Sequence, residues 1–182
     1  MQQELVFSGF GGQGVMFVGQ LLAYAAMDEG REVTWIPSYG PEMRGGTAHC
    51  FVVISDKPIG SPVVRYPKVA IAFNNPSAVK YDSIVAEGGL LVVNQSLVQH
   101  ECQRTDIEIV KVPATEIAEE IGDARLTNMV LLGATLETRP IVSIDTLEQA
   151  LIEHIPKHRR NLLEKNFNAL TRGQKVRLQY HS

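Results

Sequence analysis

A stretch close to the N-terminus decides the fold, because it places four glycines between an apolar segment and a helical pattern. It reads Leu5-Val6-Phe7-Ser8-Gly9-Phe10-Gly11-Gly12-Gln13-Gly14-Val15. The apolar residues at its start predict a short buried strand, and the apolar residues that recur every three or four positions after it predict a helix. A strand, a glycine-rich turn and a helix in this order open a βαβ unit.

Gly9, Gly11 and Gly14 have the G-x-G-x-x-G spacing found in many nucleotide-binding turns. Glycines allow positive φ angles and close approach, and the start of a helix offers free N–H groups to an anion. A dinucleotide site also needs an acidic residue at the tip of the second strand. That strand, predicted over residues 32–36, ends in Pro37-Ser38-Tyr39 without a carboxylate. Three interpretations therefore stay open: a dinucleotide, another anion or acyl-carrier ligand, and close packing against protein.

The composition excludes several classes of function. The length of 182 residues fits one domain. The formal net charge of −3 gives no overall electrostatic attraction to nucleic acid. We find neither a signal-peptide pattern nor a run of 18 apolar residues, so we expect no membrane span and a cytoplasmic protein. Cys50 and Cys102 are too few for a usual [4Fe–4S] cluster or a structural zinc site. We therefore expect no metal bound by this chain alone.

Strands and helices alternate along the sequence. Strands are predicted at the N-terminal stretch and at about residues 32–36, 48–55, 69–73, 90–93 and 107–112. Helices are predicted at about residues 12–28, 76–82, 114–121, 128–138, 143–155 and 159–172. The mostly unbroken apolar strands indicate an α/β fold: a single-domain, Rossmann-like, mostly parallel sheet over residues 1–182 with helices on both faces. Residues 173–182 are polar, and we expect them to form a loose tail.

Ligands and partners of parallel sheets sit at the carboxyl ends of the strands. Three loops meet there on this topology: residues 9–14, 37–47 and 74–76. Asn94 and Asn128 border the same edge. The edge is therefore predicted to be the contact surface of the molecule.

The loop from Pro37 to Thr47 has the densest set of polar side chains at that edge. Two prolines and three glycines in eleven residues predict irregular structure. Arg44 can hold a phosphate or carboxylate by a bidentate contact, or pair with Glu42 or with a carboxylate of a partner. Tyr39 suits either a ligand or an interface. The predicted binding or interface residues are Gly9, Gly11, Gly12, Gln13, Gly14, Ser38, Tyr39, Glu42, Arg44, Gly45, Gly46 and Asn128.

We predict no catalytic residue, because none of these side chains has a recognisable partner in the sequence for acid–base or nucleophilic catalysis. Gln13 cannot transfer protons, and Glu42 has no neighbouring nucleophile in the sequence. His49, at the start of a strand, is typical of a packed or rim histidine. The basic run Lys157-His158-Arg159-Arg160 begins a helix, where cations are least favoured. It is either a solvated face or a contact for a charged partner.

Two motifs carry a family resemblance. Residues 9–15, Gly-Phe-Gly-Gly-Gln-Gly-Val, and residues 37–48, Pro-Ser-Tyr-Gly-Pro-Glu-Met-Arg-Gly-Gly-Thr-Ala, resemble the gamma subunit of 2-oxoacid:ferredoxin oxidoreductases. Residues 53–62, 112–118 and 128–134 fit the same family, and the resemblance extends to about Leu170. His49 stands where the family's Gly-Gly-Thr-Ala-Asn-Cys run has asparagine.

The resemblance implies a subunit of a multi-subunit enzyme that is not active alone. Such enzymes convert a 2-oxoacid and coenzyme A to acyl-CoA and CO2 and reduce ferredoxin. Thiamine diphosphate, Mg²⁺ and [4Fe–4S] clusters belong to the thiamine-binding alpha and beta subunits and the ferredoxin-like delta subunit. The length of the chain and its version of the second motif, Pro-Ser-Tyr-Gly-Pro-Glu-Met, most resemble those of 2-oxoglutarate enzymes. Pyruvate, branched-chain and indolepyruvate oxidoreductases remain alternatives, and so does a stand-alone dinucleotide-binding protein.

The resemblance also implies a role for the two motifs. We expect the glycine turn and the loop of residues 37–47 to pack against the thiamine-binding subunits and to wall the cavity through which coenzyme A enters. Arg44 is then expected to contact a coenzyme A phosphate or a partner carboxylate.

Overall fold

The computed structural model describes residues 1–40 and 46–180, with side chains as far as Val176. Its strands are β1 (Gln2–Phe10), β2 (Glu32–Tyr39), β3 (Thr47–Ser55), β4 (Val69–Ala72), β5 (Leu90–Asn94) and β6 (Glu108–Val112). Its α-helices are α1 (Val15–Asp28), α2 (Asn75–Asp82), α3 (Ala114–Ile121), α4 (Thr127–Thr138), α5 (Ile144–His154) and α6 (Leu163–Tyr180). Short 3₁₀ turns at Ala124–Leu126 and Lys157–Leu162 lead into α4 and α6.

The strands form one six-stranded sheet in the order β2-β3-β1-β4-β5-β6. Strands β1, β4, β5 and β6 pair in parallel, whereas β3 runs antiparallel to both β1 and β2. All strands except β3 therefore point the same way, and the predicted mostly parallel α/β fold is confirmed. The ends of β1, β2, β4, β5 and β6 share one edge with the start of β3. We call this the carboxyl edge.

Strand β2 is longer than its sequence predicts. Pairing with β3 continues through Pro37 and Ser38 to Tyr39, so the prediction of irregular structure from Pro37 onward is wrong for these residues. Because β2 lies at the edge of the sheet, Pro37 needs no N–H donor on its open side. Pairing ends at Gly40, whose N–H donates to the Thr47 carbonyl at 2.7 Å.

Helices cover both faces of the sheet, as predicted, but unevenly. One face packs its alternate strand residues, among them Phe7 and Val52, against a layer that includes α1, α4 and α6, and α5 packs against α1. On the opposite face, Val6 and Ala70 pack under Tyr81 of α2. In the described part of the chain, no helix combines the length and apolarity that a membrane crossing requires.

The polar C-terminal segment is helical, so the predicted loose tail is wrong as far as Tyr180. Helix α6 continues through Gly173, and Val176 is buried against the core. Gly173 does not end a helix, and its role is in helix packing. A Cβ built there would lie 2.0 Å from the Val130 carbonyl oxygen of α4. Gly133 faces it, with its own Cβ position 2.1 Å from the Leu170 carbonyl oxygen. The two glycines allow α4 and α6 to cross in close contact.

The thiol of Cys50 is expected to resist modification in the folded chain. Cys50 is 0% exposed, and burial raises its pKa to about 12. At pH 8 only about one thiol in ten thousand is then a thiolate. A Cys102→Ser variant leaves Cys50 as the single thiol. Ellman's reagent is expected to modify it in denaturant and not in buffer at pH 8; equal reaction rates in the two conditions would contradict the buried position.

Candidate functional site

The glycine turn closes on itself before α1 begins. The Gln13 side-chain oxygen accepts the Phe10 N–H at 2.7 Å, while the Gln13 N–H donates to the Phe10 carbonyl at 3.2 Å. Gly12 and Gly14 have positive φ angles of 95° and 75°, which explains glycine at both positions. Gly14 caps α1 without a side-chain hydrogen bond, and the first turn has no acidic residue. The N–H groups of that turn therefore remain available to an outside acceptor.

The second motif meets the glycine turn, as the sequence predicts. The Gly11 N–H donates to the Gly46 carbonyl at 3.0 Å, and Gly46 is buried beneath this contact. Tyr39 is the last residue of strand β2, and 69% of its surface is exposed. Ser38, the residue before it, is half-buried. The remaining predicted members of this motif, Glu42, Arg44 and Gly45, lie outside the described residues.

Two glycines of the turn are required by contacts within the chain itself. A Cβ at Gly9 would lie 2.5 Å from the Gln13 side-chain oxygen and 2.8 Å from the Phe73 Cβ. A Cβ at Gly14 would lie 2.4 Å from Asn128 Nδ2. Gly11 and Gly12, by contrast, are exposed. Close packing against protein therefore explains Gly9 and Gly14, whereas Gly11 and Gly12 present bare backbone to the outside.

Asn128 joins the start of α4 to the start of α1, so the structure brings it to the predicted site. Its Nδ2 donates to the Gly14 carbonyl at 3.3 Å, and its Oδ1 accepts the Met129 N–H at 2.8 Å. The residue is only 6% exposed. A buried amide with both ends bonded holds its neighbours in place, so Asn128 fixes the cap of α1.

Asn74 and Asn94 end the neighbouring strands β4 and β5. The Asn74 side chain accepts the Ser77 N–H at 3.0 Å and caps α2. Asn94 Nδ2 donates to Thr115 Oγ1 at 3.0 Å. Both asparagines are buried, and Asn74 Nδ2 and Asn94 Oδ1 have no hydrogen-bond partner among the described residues. These two side chains thus continue the polar lining of the carboxyl edge.

A cavity of about 240 Å³ opens beside the glycine turn. We call it the α1 cavity, and its walls come from the glycine turn, the start of α4, the turn before α6 and α6 itself. The residues that matter for its chemistry are Gly12, Gly14, Arg125, Asn128, Arg159 and Asn166. Sequence reasoning missed Arg125 and Asn166, and it singled out Arg159 only as one member of a basic run.

The charges of the α1 cavity differ in how far they are neutralised. Arg125 Nη2 donates to the Asp123 carboxylate at 2.7 Å, and this hydrogen-bonded guanidinium lowers the pKa of Asp123. Arg159 is exposed and forms no ion pair with any residue that the structure describes. Its guanidinium is therefore the cation that the cavity offers to a ligand.

His49 fits the prediction of a packed rim histidine. Its ring packs edge-on against Phe51, with 5.5 Å between the ring centroids. Burial lowers the pKa of His49, and the charge of Lys80 lowers it further. The ring contact with Phe51 therefore supports a packing role for His49.

A family model for pyruvate ferredoxin/flavodoxin oxidoreductase matches residues 4–176, which include the glycine turn, the carboxyl edge and most of α6. The chain belongs to this family. The family resemblance that the two sequence motifs carry is thereby confirmed, and the match to a solved gamma subunit confirms the kind of subunit.

Relatives of this oxidoreductase family match the chain over different lengths. The 2-oxoglutarate synthase subunit KorC of Methanocaldococcus jannaschii is 37% identical and covers 97% of this chain and 94% of its own. The ketoisovalerate oxidoreductase subunit VorA of Methanothermobacter marburgensis is 44% identical over 129 residues, which are 71% of this chain and 27% of VorA. The chain thus spans about a quarter of VorA and nearly all of KorC.

Solved structures of the family share the fold. The keto/oxoacid ferredoxin oxidoreductase gamma subunit of Geobacter sulfurreducens has a TM-score of 0.82 and 30% identity, over 97% of this chain and 99% of its own. The 2-oxoglutarate:ferredoxin oxidoreductase of Magnetococcus marinus, solved with 2-oxoglutarate, coenzyme A and succinyl-CoA bound, has a TM-score of 0.88 and 24% identity. The match covers 98% of this chain and 31% of that one, and at this identity it shows the fold.

Proposed function

We propose that this chain is the gamma subunit of a 2-oxoacid:ferredoxin oxidoreductase whose substrate is 2-oxoglutarate. The complex would convert the 2-oxoacid and coenzyme A to acyl-CoA and CO2, passing two electrons to ferredoxin. The observation that carries the proposal is the nearly end-to-end similarity to a 2-oxoglutarate synthase subunit.

The redox and thiamine chemistry of the proposed complex belongs to partner subunits. Cys50 lies fully inside the core, and the Cys102 thiol donates to the Asp82 carboxylate, so these two residues do not fit an iron–sulfur cluster. The glycine turn itself carries no carboxylate that would hold Mg²⁺. We therefore assign thiamine diphosphate and Mg²⁺ to alpha and beta subunits and the [4Fe–4S] clusters to a ferredoxin-like delta subunit. The chain alone is then inactive, and the complex is cytoplasmic.

The carboxyl edge is the surface that we assign to the thiamine-binding partners. Exposed backbone at Gly11 and Gly12 permits a second chain to approach closely, and the exposed ring of Tyr39 has the apolar body and polar tip that interfaces favour. The same glycine turn and loop would wall the path of coenzyme A. The assignment of Arg44 to a coenzyme A phosphate or a partner carboxylate stays a prediction.

Removing the Tyr39 ring is expected to weaken assembly. A tagged chain would be co-expressed with the alpha, beta and delta subunits from its own genome, and the yield of co-purified subunits measured after salt washes. Tyr39→Ala is expected to lower this yield several-fold, because interface tyrosines are frequent hot spots. Tyr66→Ala is the matched control, since Tyr66 is 66% exposed but lies on the loop before β4 and lines a surface with Glu4. Equal yields for the two variants would contradict the assignment.

A second substrate has support of its own. VorA has the higher identity, 44%, although over a shorter part of the chain. A branched-chain 2-oxoacid such as ketoisovalerate is therefore the alternative substrate. Comparing the specificity constants, kcat/KM, of the assembled complex for 2-oxoglutarate, ketoisovalerate and pyruvate distinguishes the candidates.

A further inference from the structure

Two helix ends bring three metal-binding side chains together, at the end of α1 opposite the glycine turn. Asp28 is the last residue of α1, and Glu153 and His154 are the last two residues of α5. One ligand atom from each of them, a carboxylate oxygen or an imidazole nitrogen, lies within 4.8 Å of the other two. The expectation that this chain binds no metal alone rests on the number of its cysteines, and this group contains none.

The group places two carboxylates where the helix backbone disfavours them. The last turn of an α-helix carries a partial negative charge, so a carboxylate there is unfavourable. Asp28 and Glu153 both occupy such a turn, and the last turn of α1 has no basic residue. Neither forms an ion pair with any residue that the structure describes, whereas Asp56, Asp106 and Asp123 each pair with a cationic group. A bound cation would therefore neutralise charge that the described residues leave uncompensated.

Contacts within and between the two helices orient the possible ligands. The His154 ring stacks on Tyr24, with 3.8 Å between the ring centroids and 10° between the ring planes. The Tyr24 hydroxyl accepts Gln20 Nε2 at 3.0 Å, which holds the ring that supports His154. Gln149 Nε2 donates to one of the two carboxylate oxygens of Glu153 at 2.7 Å. The imidazole nitrogens of His154 have no hydrogen-bond partner among the described residues, so they are available to a metal ion.

We propose that Asp28, Glu153 and His154 bind a divalent d-block metal ion, Zn²⁺ or its analogue Co²⁺. Zinc takes imidazole nitrogen and carboxylate oxygen ligands at about 2.0 to 2.2 Å, and water can fill the remaining position at an exposed site. Three exposed ligand atoms within 4.8 Å of one another reach such distances by small side-chain rotations. Mg²⁺ and Ca²⁺ prefer oxygen ligands, so the histidine favours zinc over them.

Metal binding at this group would join two helices that are distant in the sequence. Helix α5 packs against α1, and the Glu29 side chain accepts the Ser143 N–H at 2.7 Å at the start of α5. An ion held by Asp28, Glu153 and His154 adds a second link at the end of α5. Because an ion that binds only the folded chain stabilises it by mass action, Zn²⁺ is expected to raise the midpoint of thermal unfolding.

Calorimetric titration of ZnCl₂ into the metal-free, full-length chain tests the site. The wild-type chain is expected to bind one ion in this group, and His154→Gln is expected to weaken the binding at least tenfold, because it removes one of three protein ligands. Asp28→Asn is expected to have the same effect, since it removes the ligand that α1 supplies. His158→Gln is the matched control, because His158 is exposed in the turn that follows α5 and lies outside the group. Circular dichroism shows whether each variant is folded.

Thermal unfolding and competition with Mg²⁺ complete the test. Zn²⁺ is expected to raise the unfolding midpoint of the wild-type and His158→Gln chains and to leave that of His154→Gln unchanged. Equal Zn²⁺ affinities of His154→Gln and His158→Gln, or a wild-type chain without saturable binding, would overturn the site. Displacement of Zn²⁺ by Mg²⁺ at equal concentration would also overturn it, because a simple negative patch does not distinguish the two ions. The proposed function does not depend on any of these results.

Discussion

Replacing Gly173 with alanine is expected to lower the free energy of unfolding by about 2 kcal/mol. The new Cβ would lie 2.0 Å from the Val130 carbonyl oxygen and 2.9 Å from its carbonyl carbon. Because the obstacle is helix backbone, α4 and α6 have to separate along their contact. Overpacking usually costs about 1 to 3 kcal/mol, and the tighter clash outweighs the gain of about 1 kcal/mol from replacing a helical glycine with alanine.

Urea denaturation followed by circular dichroism measures this effect. Gly60→Ala is the control, because no atom lies within 4 Å of its Cβ position and its φ angle is not in the left-handed region. Gly133→Ala is expected to behave like Gly173→Ala, since its Cβ position is 2.1 Å from the Leu170 carbonyl oxygen across the same helix crossing. Unfolding free energies of Gly173→Ala and Gly60→Ala that agree within error would show that α4 and α6 do not cross in this way.

Replacing Gly14 with alanine is expected to damage the site more than the fold. The φ angle of 75° costs an alanine about 1 kcal/mol, and the new Cβ would lie 2.4 Å from Asn128 Nδ2. The Asn128 side chain can move away, but it then loses its hydrogen bond to the Gly14 carbonyl. In the assembled complex we expect KM for coenzyme A to rise at least tenfold, because the start of α1 shifts together with the glycine turn that we propose to line the path of coenzyme A.

Gly30→Ala separates backbone strain from the clash. Gly30 follows the other end of α1 with a φ angle of 76°, and no atom lies within 4 Å of its Cβ position. Both variants are expected to lose stability, whereas only Gly14→Ala raises KM for coenzyme A. If Gly30→Ala raised KM equally, general loosening of the chain would explain the effect, and the specific role of the Gly14–Asn128 contact would be wrong.

Local sequence patterns predict those parts of the molecule that local forces decide. Three such patterns can be interpreted without knowing which residues lie nearby in the fold: the apolar run at Leu5, the glycines that follow it, and the helical periodicity after Val15. Alternation of strands and helices then gives the parallel core of the sheet, and the carboxyl edge follows from topology. The convergence of the glycine turn with Gly46 and Asn128 could therefore be predicted.

Features that depend on distant neighbours could not be predicted in this way. Pro37 continues a strand because β2 happens to lie at the sheet edge, and Gly173 continues a helix because Gly133 faces it. Arg125 and Asn166 look like ordinary surface residues in the sequence. They become cavity residues only when α4 and α6 pack beside α1. Of the cavity residues, Gly12, Gly14 and Asn128 were predicted from the sequence motifs, and Arg159 was singled out only as a member of the basic run.

Coenzyme A-dependent reduction of a viologen dye by the purified complex tests the central claim most directly. The chain would be isolated from its native cells by an affinity tag and assayed with a panel of 2-oxoacids. We expect dye reduction that requires both 2-oxoglutarate and coenzyme A and that co-elutes with thiamine-binding and iron–sulfur subunits. A chain that purifies alone, reduces no dye with any 2-oxoacid and binds NAD or NADP in a titration would contradict the account.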